Sequence, residues 1–204
     1  MAGRTNLTQK YRIGVSRVIG VLAVLLVLFT GHSWTMSVYA DLAVDLFSFT
    51  LVLTATFGRL WALAYIGGHK SQDLITTGPY SIVRNPLYLF SFIGAMGVAV
   101  YTLNILIVAL VIAQFGIYYP FVILGEERRL RDVHGSAFEK YLARVPMIIP
   151  KFSLYRDEPS YAIDTRLFRR SFFSVVWFPL VYMAVHMIDT LHASGAIPVL
   201  FTIP

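Results

Sequence analysis

The chain has 204 residues, of which 57% are hydrophobic and only 14% are charged. Soluble domains average about a quarter charged residues, so this composition predicts a membrane protein, with one integral membrane domain over residues 1–204. The formal net charge of +6 would suit a nucleic acid, but the placement of the basic residues explains the charge without such a partner. The absence of cysteine excludes disulfides, thiol nucleophiles and cysteine metal sites.

Five stretches are apolar enough to cross a bilayer, which takes roughly 20 residues per helix. They cover residues 18–40, 46–66, 87–103, 105–124 and 172–191. We therefore predict an all-α polytopic membrane protein with about five transmembrane helices. The first is expected to be an uncleaved helix, because no small-residue cleavage site follows its apolar core. The third and fourth are separated by so few residues that they should form a tight antiparallel hairpin.

Basic residues lie on one side of these stretches. Four precede the first stretch and ten lie within residues 125–170, whereas the tail after residue 172 has none. The positive-inside rule therefore predicts a cytoplasmic N-terminus and an outside C-terminus. Both polar segments, residues 67–86 and 125–170, then lie on the cytoplasmic face.

The segment at 78–88, GPYSIVRNPLY, has more polar chemistry than a connector needs. Gly78-Pro79 predicts a turn, and Pro86 suits an early position of the next helix. The amides of that helix start, with the positive end of the helix dipole, favour an anionic or hydrogen-bond-accepting ligand. The alternative is membrane anchoring by Arg84 and the neighbouring tyrosines.

After the fourth stretch, apolar residues recur at helical spacing, which predicts an amphipathic surface helix that Gly135 can break in two. The stripe consists of Leu130, Val133, Ala137, Phe138 and Tyr141. At about 100° per residue, Glu126 falls on this stripe and Glu127 at its edge. A buried carboxylate needs a partner, which is either a ligand or an arginine such as Arg84 or Arg129. The following RVPMIIPK is either a proline-stiffened linker or a strap across the mouth of the bundle.

Two blocks of this sequence resemble motifs of the isoprenylcysteine carboxyl methyltransferase (ICMT) family, which is similar to the membrane phospholipid methyltransferases. Residues 78–88 resemble its GPY-x-x-x-RHP-x-Y signature. The second block resembles Glu126-Glu127, then Gly135-x-x-Phe138-x-x-Tyr141, then Val145-Pro146-x-x-x-Pro150 as they stand here. Both occur in the family's order, and the resemblance covers residues 72–150, a methyltransferase-like cofactor-binding core.

The resemblance implies an enzyme that uses S-adenosylmethionine (AdoMet) to methylate a lipophilic acceptor, either isoprenylcysteine carboxylate-like or a lipid. The implied catalytic residues are Arg84, Asn85 and Glu126, the last pairing with the cofactor's ammonium. The implied cofactor contacts are Gln72, Asp73, Leu74, Ile75, Tyr80, Asn85, Pro86, Leu87, Tyr88 and Glu126. The candidate substrate contacts are Arg59, Val122 and Arg144. No general base stands out, although Asp73 and Tyr80 are candidates.

This chain departs from the family pattern in three places. Asn85 replaces the histidine of RHP and cannot titrate. Val122 stands where prenylcysteine-methylating members carry an arginine, which argues against a prenylcysteine substrate. The chain also continues past the second block into an additional C-terminal membrane segment, residues 171–204.

Other functions remain open at this point. The chain has some likeness to NADPH-dependent membrane reductases related to sterol reductases, and a non-catalytic membrane scaffold is a third possibility. Arg59 lies inside the second stretch, where a charge is usually paired or lines a cavity. His186, Asp189 and His192 are spaced along one helix, but we expect no metal site there.

Overall fold

The computed structural model describes residues 3–67, 73–160, 163 and 165–203. Its helices are α1 (Gly3–Phe29), α2 (Val38–Ile66), α3 (Pro79–Ile82), α4 (Pro86–Tyr101), α5 (Ile105–Ala113), α6 (Tyr119–His134), α7 (Ser136–Arg144) and α8 (Thr165–Ala193). A π-helical turn at Gln114–Tyr118 joins α5 to α6, and a 3₁₀ turn lies at Phe152–Leu154. Two short strands, β1 (Thr30–His32) and β2 (Phe201–Ile203), pair in parallel.

The all-α membrane class is confirmed. Three of the described helices are long and apolar enough to cross a membrane: Val38–Ile66, Ile105–His134 and Phe168–Ala193. Two shorter apolar helices cover Arg17–Phe29 and Pro86–Tyr101. Each of the five predicted stretches thus contains a helix, but among the described residues three of these helices, rather than five, reach full spanning length.

The predicted boundary between the first two stretches is wrong. α1 ends at Phe29, the chain forms β1, and α2 begins at Val38 rather than at residue 46. The N-cap is Ser37, whose hydroxyl accepts a hydrogen bond from the Ala40 amide at 3.3 Å. The largely polar run at residues 30–37, TGHSWTMS, marks this boundary, and the prediction extended the first stretch across it.

The fourth stretch also runs further than predicted. The chain is helical from Ile105 through the π turn to His134, and the helix breaks only at Gly135, whose φ is 52°. The predicted break at Gly135 is therefore confirmed. A positive φ is readily adopted by glycine, which has no Cβ. The hairpin between α4 and α5 is also confirmed, with the Asn104 side chain accepting from the Leu106 amide at 3.0 Å.

α2, α4 and α8 pack closely at small residues. A Cβ on Gly94 of α4 would lie 2.5 Å from Phe178 of α8 and 2.7 Å from the Cβ of Ala55 on α2. Glycine is therefore needed there for the three helices to approach. This contact places α8, from the additional C-terminal segment, against α4, whose start belongs to the first motif block.

Candidate active site

The first motif block, residues 78–88, forms a compact turn that leads into α4. Gly78 is buried with φ of 56°, and a Cβ there would collide with the ring of Tyr65. Residues 79–82 form the single turn of α3, and Asn85 caps α4, which begins at Pro86. The turn and the helix start predicted from the prolines are therefore confirmed.

Residues 145–157, here called the strap, lie across this turn. The Arg84 amide donates to the Pro146 carbonyl at 2.9 Å, and the Lys151 amide donates to the Ile82 carbonyl at 2.9 Å. Asn85 adds a side-chain bond from Nδ2 to the Met147 carbonyl at 3.2 Å. RVPMIIPK is thus bonded along the turn rather than being a free linker, and its position across the mouth of the bundle stays a prediction.

The Arg84 side chain holds the strap to α6. Its Nε donates to Glu127 Oε1 at 2.9 Å, and its Nη1 donates to the carbonyls of Val145 at 2.9 Å and Leu142 at 3.1 Å. The side chains of Arg84 and Glu127 are only 14% and 11% exposed. These contacts give Arg84 a structural role, and its catalytic role stays a prediction.

The structure reverses the predicted burial of the two glutamates. Glu127 is buried, whereas Glu126 is exposed, and it is Glu127 that pairs with Arg84. The helix wheel assumed one continuous apolar stripe, but the chain turns at Gly135. Consequently Leu130 and Val133 are 37% and 57% exposed, while Phe138 and Tyr141 of α7 pack inward.

Glu126 nevertheless meets the α4 start. The Tyr88 hydroxyl donates to Glu126 Oε1 at 2.9 Å. The Tyr88 ring packs edge-on against Tyr119, with centroids 5.1 Å apart, and Tyr119 stacks on Phe115 at 4.4 Å. One hydrogen bond therefore joins the two motif blocks, and it connects two predicted cofactor contacts, Tyr88 and Glu126.

Tyr80 presents a buried hydroxyl beside the same helix start. The residue is 8% exposed, its hydroxyl has no hydrogen-bond partner among the described residues, and its carbonyl accepts from the Tyr141 hydroxyl at 2.7 Å. Burial raises the pKa of the Tyr80 hydroxyl above its ordinary value. Tyr80 is therefore a hydrogen-bond donor at neutral pH rather than a general base.

Arg59, on α2, contacts the N-terminal part of α4. Its Nη1 donates to the Leu87 carbonyl at 3.2 Å and to the Ser91 hydroxyl. Its guanidinium carbon lies 5.5 Å from the ring centroid of Phe178 on α8. Of the three candidate substrate contacts, Arg59 is thus the one placed against a predicted cofactor residue, Leu87.

The remaining predicted residues have varied surroundings. Leu74 packs against the cluster of Phe138, Tyr141 and Val145, and Ile75 packs against the cluster that contains Tyr80. Asp73 is exposed, and Gln72 lies outside the described residues. Val122 is half-buried on α6, whereas Arg144 is exposed at the end of α7.

Sequence reasoning missed the contacts that fix the far end of the strap. The hydroxyls of Tyr65 and Tyr155 donate to the two carboxylate oxygens of Asp157, at 2.5 and 2.8 Å. These bonds hold the pKa of Asp157 below its ordinary value. No sequence signal indicated them, because Tyr65 and Asp157 are far apart in the chain.

The residues considered for a metal lie at the opposite end of the bundle from Arg84. His186 Nδ1 is 2.6 Å from the Tyr101 hydroxyl, which also donates to Asp189 at 3.5 Å. His192 Nε2 lies 3.1 Å from the Leu28 carbonyl. Over the described ranges, no group of three or more histidine, aspartate or glutamate side chains is arranged to hold a metal ion.

Comparison with known proteins places the chain in a family. The phospholipid methyltransferase family model matches residues 15–137. The nickel-cobalt-cadmium resistance protein NccN of Alcaligenes xylosoxydans xylosoxydans is 35% identical over 195 residues, covering 96% of this chain and 91% of that protein. The cobalt-zinc-cadmium resistance protein CzcN of Cupriavidus metallidurans is 35% identical over 199 residues, covering 97% of this chain and 91% of that protein.

No solved structure matches the chain significantly. The family match includes the turn at residues 78–88, the α4–α5 hairpin and both glutamates, and it overlaps the region that carries the ICMT resemblance. The chain therefore belongs to the phospholipid methyltransferase family, within the superfamily that also contains the isoprenylcysteine carboxyl methyltransferases.

Proposed function

We propose that the chain is an integral membrane enzyme that takes a methyl group from AdoMet and transfers it to a lipophilic acceptor at the cytoplasmic face. Membership of a methyltransferase family supports the reaction class. The observation that carries the proposal is the bond between Tyr88 and Glu126, which joins the α4 start to α6. It brings together one residue from each motif block.

The residues around this contact suit AdoMet. Glu126 is an exposed carboxylate oriented by Tyr88, so it can accept hydrogen bonds from the cofactor's ammonium group. The amides and dipole of the α4 start suit the cofactor's carboxylate. The buried Tyr80 hydroxyl is a further donor whose hydrogen-bonding capacity is unused within the described chain. Bound AdoMet would supply a methyl group that its sulfonium already activates.

The protein's contribution is then mainly positioning. Orientation of two reactants can supply about 7–11 kcal/mol of the barrier. Arg84 ties the start of α4 to α6, α7 and the strap, and the Asn85 side chain is bonded to the strap at Met147. Because Asn85 cannot titrate and Tyr80 stays protonated, these residues favour an acceptor group that reacts without a protein base.

A transfer assay tests the proposal directly. Purified protein in detergent is incubated with methyl-tritiated AdoMet and a total membrane lipid extract, and the label in the organic phase is counted. We expect label with the wild type and with Glu158→Gln, an exposed residue just after the strap that serves as the matched control. Glu126→Gln should reduce the label about tenfold or more at limiting AdoMet. Equal transfer by Glu126→Gln contradicts the role of Glu126, and no transfer by the wild type contradicts the activity.

The names of the relatives suggest a cellular context. Both are named as resistance proteins for divalent metals, one for nickel, cobalt and cadmium and the other for cobalt, zinc and cadmium. We propose that methylation of a membrane acceptor contributes to tolerance of such metals. A deletion strain grown in cobalt should be rescued by the wild type and not by Glu126→Gln. Rescue by Glu126→Gln would separate the tolerance from methyl transfer.

A further inference from the structure

Arg59 carries a formal charge inside a membrane-crossing helix. It lies about two turns before α2 ends at Ile66, within the span Val38–Ile66. A charged side chain at that depth is costly and is normally paired with an opposite charge or placed on a functional cavity. Its surroundings therefore indicate which of the two applies.

The partners that the structure provides for Arg59 are all neutral. They are the Leu87 carbonyl, the Ser91 hydroxyl and the Phe178 ring. Within the described part of the chain, no carboxylate pairs with Arg59, unlike Arg84 and Arg131, which pair with Glu127 and Glu139. The Nε atom is buried and has no hydrogen-bond acceptor among the described residues. The positive charge is thus left uncompensated.

A second unpartnered donor lies in the same region. The Tyr80 residue is 8% exposed, and its buried hydroxyl has no partner in the described chain. Both residues border Leu87, since the cluster that contains Tyr80 packs against the Leu87 side chain and Arg59 donates to the Leu87 carbonyl. Buried donors without acceptors are rare, because each loses its hydrogen bonds to water. The Tyr80 hydroxyl and the Nε of the charged Arg59 guanidinium are two such donors, and together they indicate a place for an anionic ligand.

The position of Arg59 links the bilayer to the candidate AdoMet pocket. Arg59 contacts α4 and α8 and is only half-buried, so part of the residue remains accessible. The carbonyl that it binds belongs to Leu87, and the next residue, Tyr88, contacts Glu126. A lipophilic molecule held at Arg59 would therefore lie close to the α4 start.

We propose that Arg59, with Tyr80 as a second donor, binds an anionic group on the lipophilic methyl acceptor and positions that acceptor beside the α4 start. The Phe178 ring of α8 packs against the Arg59 guanidinium, so the additional C-terminal helix forms part of the proposed acceptor site. The identification of the ligand as the methyl acceptor rests on the proposed function, whereas anion binding by Arg59 does not. The anionic group is a carboxylate or a phosphate, since a guanidinium binds both through paired hydrogen bonds.

Lipid binding to the full chain tests this site without requiring methyl transfer. Thermal unfolding of the purified protein in a neutral detergent is followed with oleate, dioleoylphosphatidic acid or neutral dioleoylglycerol, and AdoMet affinity is measured in parallel. We expect one of the two anionic lipids to raise the unfolding midpoint more than dioleoylglycerol does. Oleate identifies a carboxylate site, and dioleoylphosphatidic acid identifies a phosphate site.

The variants then assign the effect to Arg59. Arg59→Gln should weaken the anionic lipid's apparent affinity about tenfold and leave AdoMet affinity within about twofold. Arg170→Met, which removes an exposed charge on α8, is the matched control and should behave as the wild type. If Arg59→Gln does not fold, Arg59→Lys decides: it keeps the charge but loses the fork, so lipid affinity should still fall measurably.

Three results would overturn the proposal. The first is an unchanged lipid affinity in the Arg59 variants, and the second is a wild type that both anionic lipids stabilise no better than dioleoylglycerol. The third is an Arg59→Gln protein that loses AdoMet affinity instead, because the anion would then be the cofactor's carboxylate. A wild type that binds no AdoMet but keeps an Arg59-dependent lipid shift would refute the proposed function while supporting the anion site.

Discussion

Replacing the buried glutamate of the Glu126-Glu127 pair should weaken the fold, whereas replacing its neighbour should not. Glu127 Oε1 lies 2.9 Å from Arg84 Nε, and the two side chains are 11% and 14% exposed. Breaking a fully buried pair by removing one charge costs about 3–5 kcal/mol. Because glutamine keeps an acceptor and the pair retains some exposure, we expect Glu127→Gln to lower the free energy of unfolding by about 2–3 kcal/mol.

The assay is unfolding in mixed micelles with increasing SDS, followed by tryptophan fluorescence. Trp61 packs 6.2 Å from the strap residue Tyr155, so its emission also reports strap detachment. The matched control is Glu126→Gln, which makes the same chemical change one residue away and should shift the free energy of unfolding by less than about 0.5 kcal/mol. Equal losses of stability in the two variants, or a larger loss for Glu126→Gln, would refute this assignment of the two carboxylates.

Three further predictions follow from local contacts. Because the pKa of Asp157 is lowered, the contribution of its carboxylate to strap docking is present above the ordinary aspartate range and is lost as pH falls through the lowered pKa. Asp157→Asn should abolish the resulting acid-dependent change in tryptophan emission, and a variant that keeps this change would be contrary evidence. Gly94→Ala should destabilise the protein by about 1–3 kcal/mol through overpacking, whereas Gly116→Ala should not, because a Cβ on Gly116 meets open space. Similar unfolding midpoints for the two variants would count against the packing of α2, α4 and α8. Tyr141→Phe should cost about 1–3 kcal/mol by leaving the Tyr80 carbonyl without its donor, and an unchanged midpoint would contradict that contact.

Local backbone chemistry made part of this site predictable from the sequence. Gly78-Pro79, Pro86 and Gly135 mark a turn, a helix start and a helix break because their conformational limits act within a few residues. The paired prolines of the strap likewise favoured extended chain, which the structure places across the turn at residues 78–85.

The choice of the buried glutamate was not predictable in this way. The wheel treated residues on both sides of Gly135 as one stripe, and the turn at Gly135 removes that common direction, so the wheel assigned the buried position to Glu126 instead of Glu127. The decisive partner, Arg84, is distant in sequence and is positioned by the strap. Sequence reasoning singled out Arg59 as a charge at depth, but its neutral partners on α4 and α8 required the tertiary structure.

The central claim is that the α4 start and Glu126 form a cofactor site for AdoMet. Equilibrium binding of AdoMet to the purified protein in detergent, with NADPH as the competing candidate, tests it most directly. We predict that AdoMet binds the wild type and Glu158→Gln equally, that Glu126→Gln weakens AdoMet binding about tenfold, and that NADPH does not bind. Binding of NADPH in place of AdoMet, or equal AdoMet affinity in Glu126→Gln and the wild type, would contradict the claim.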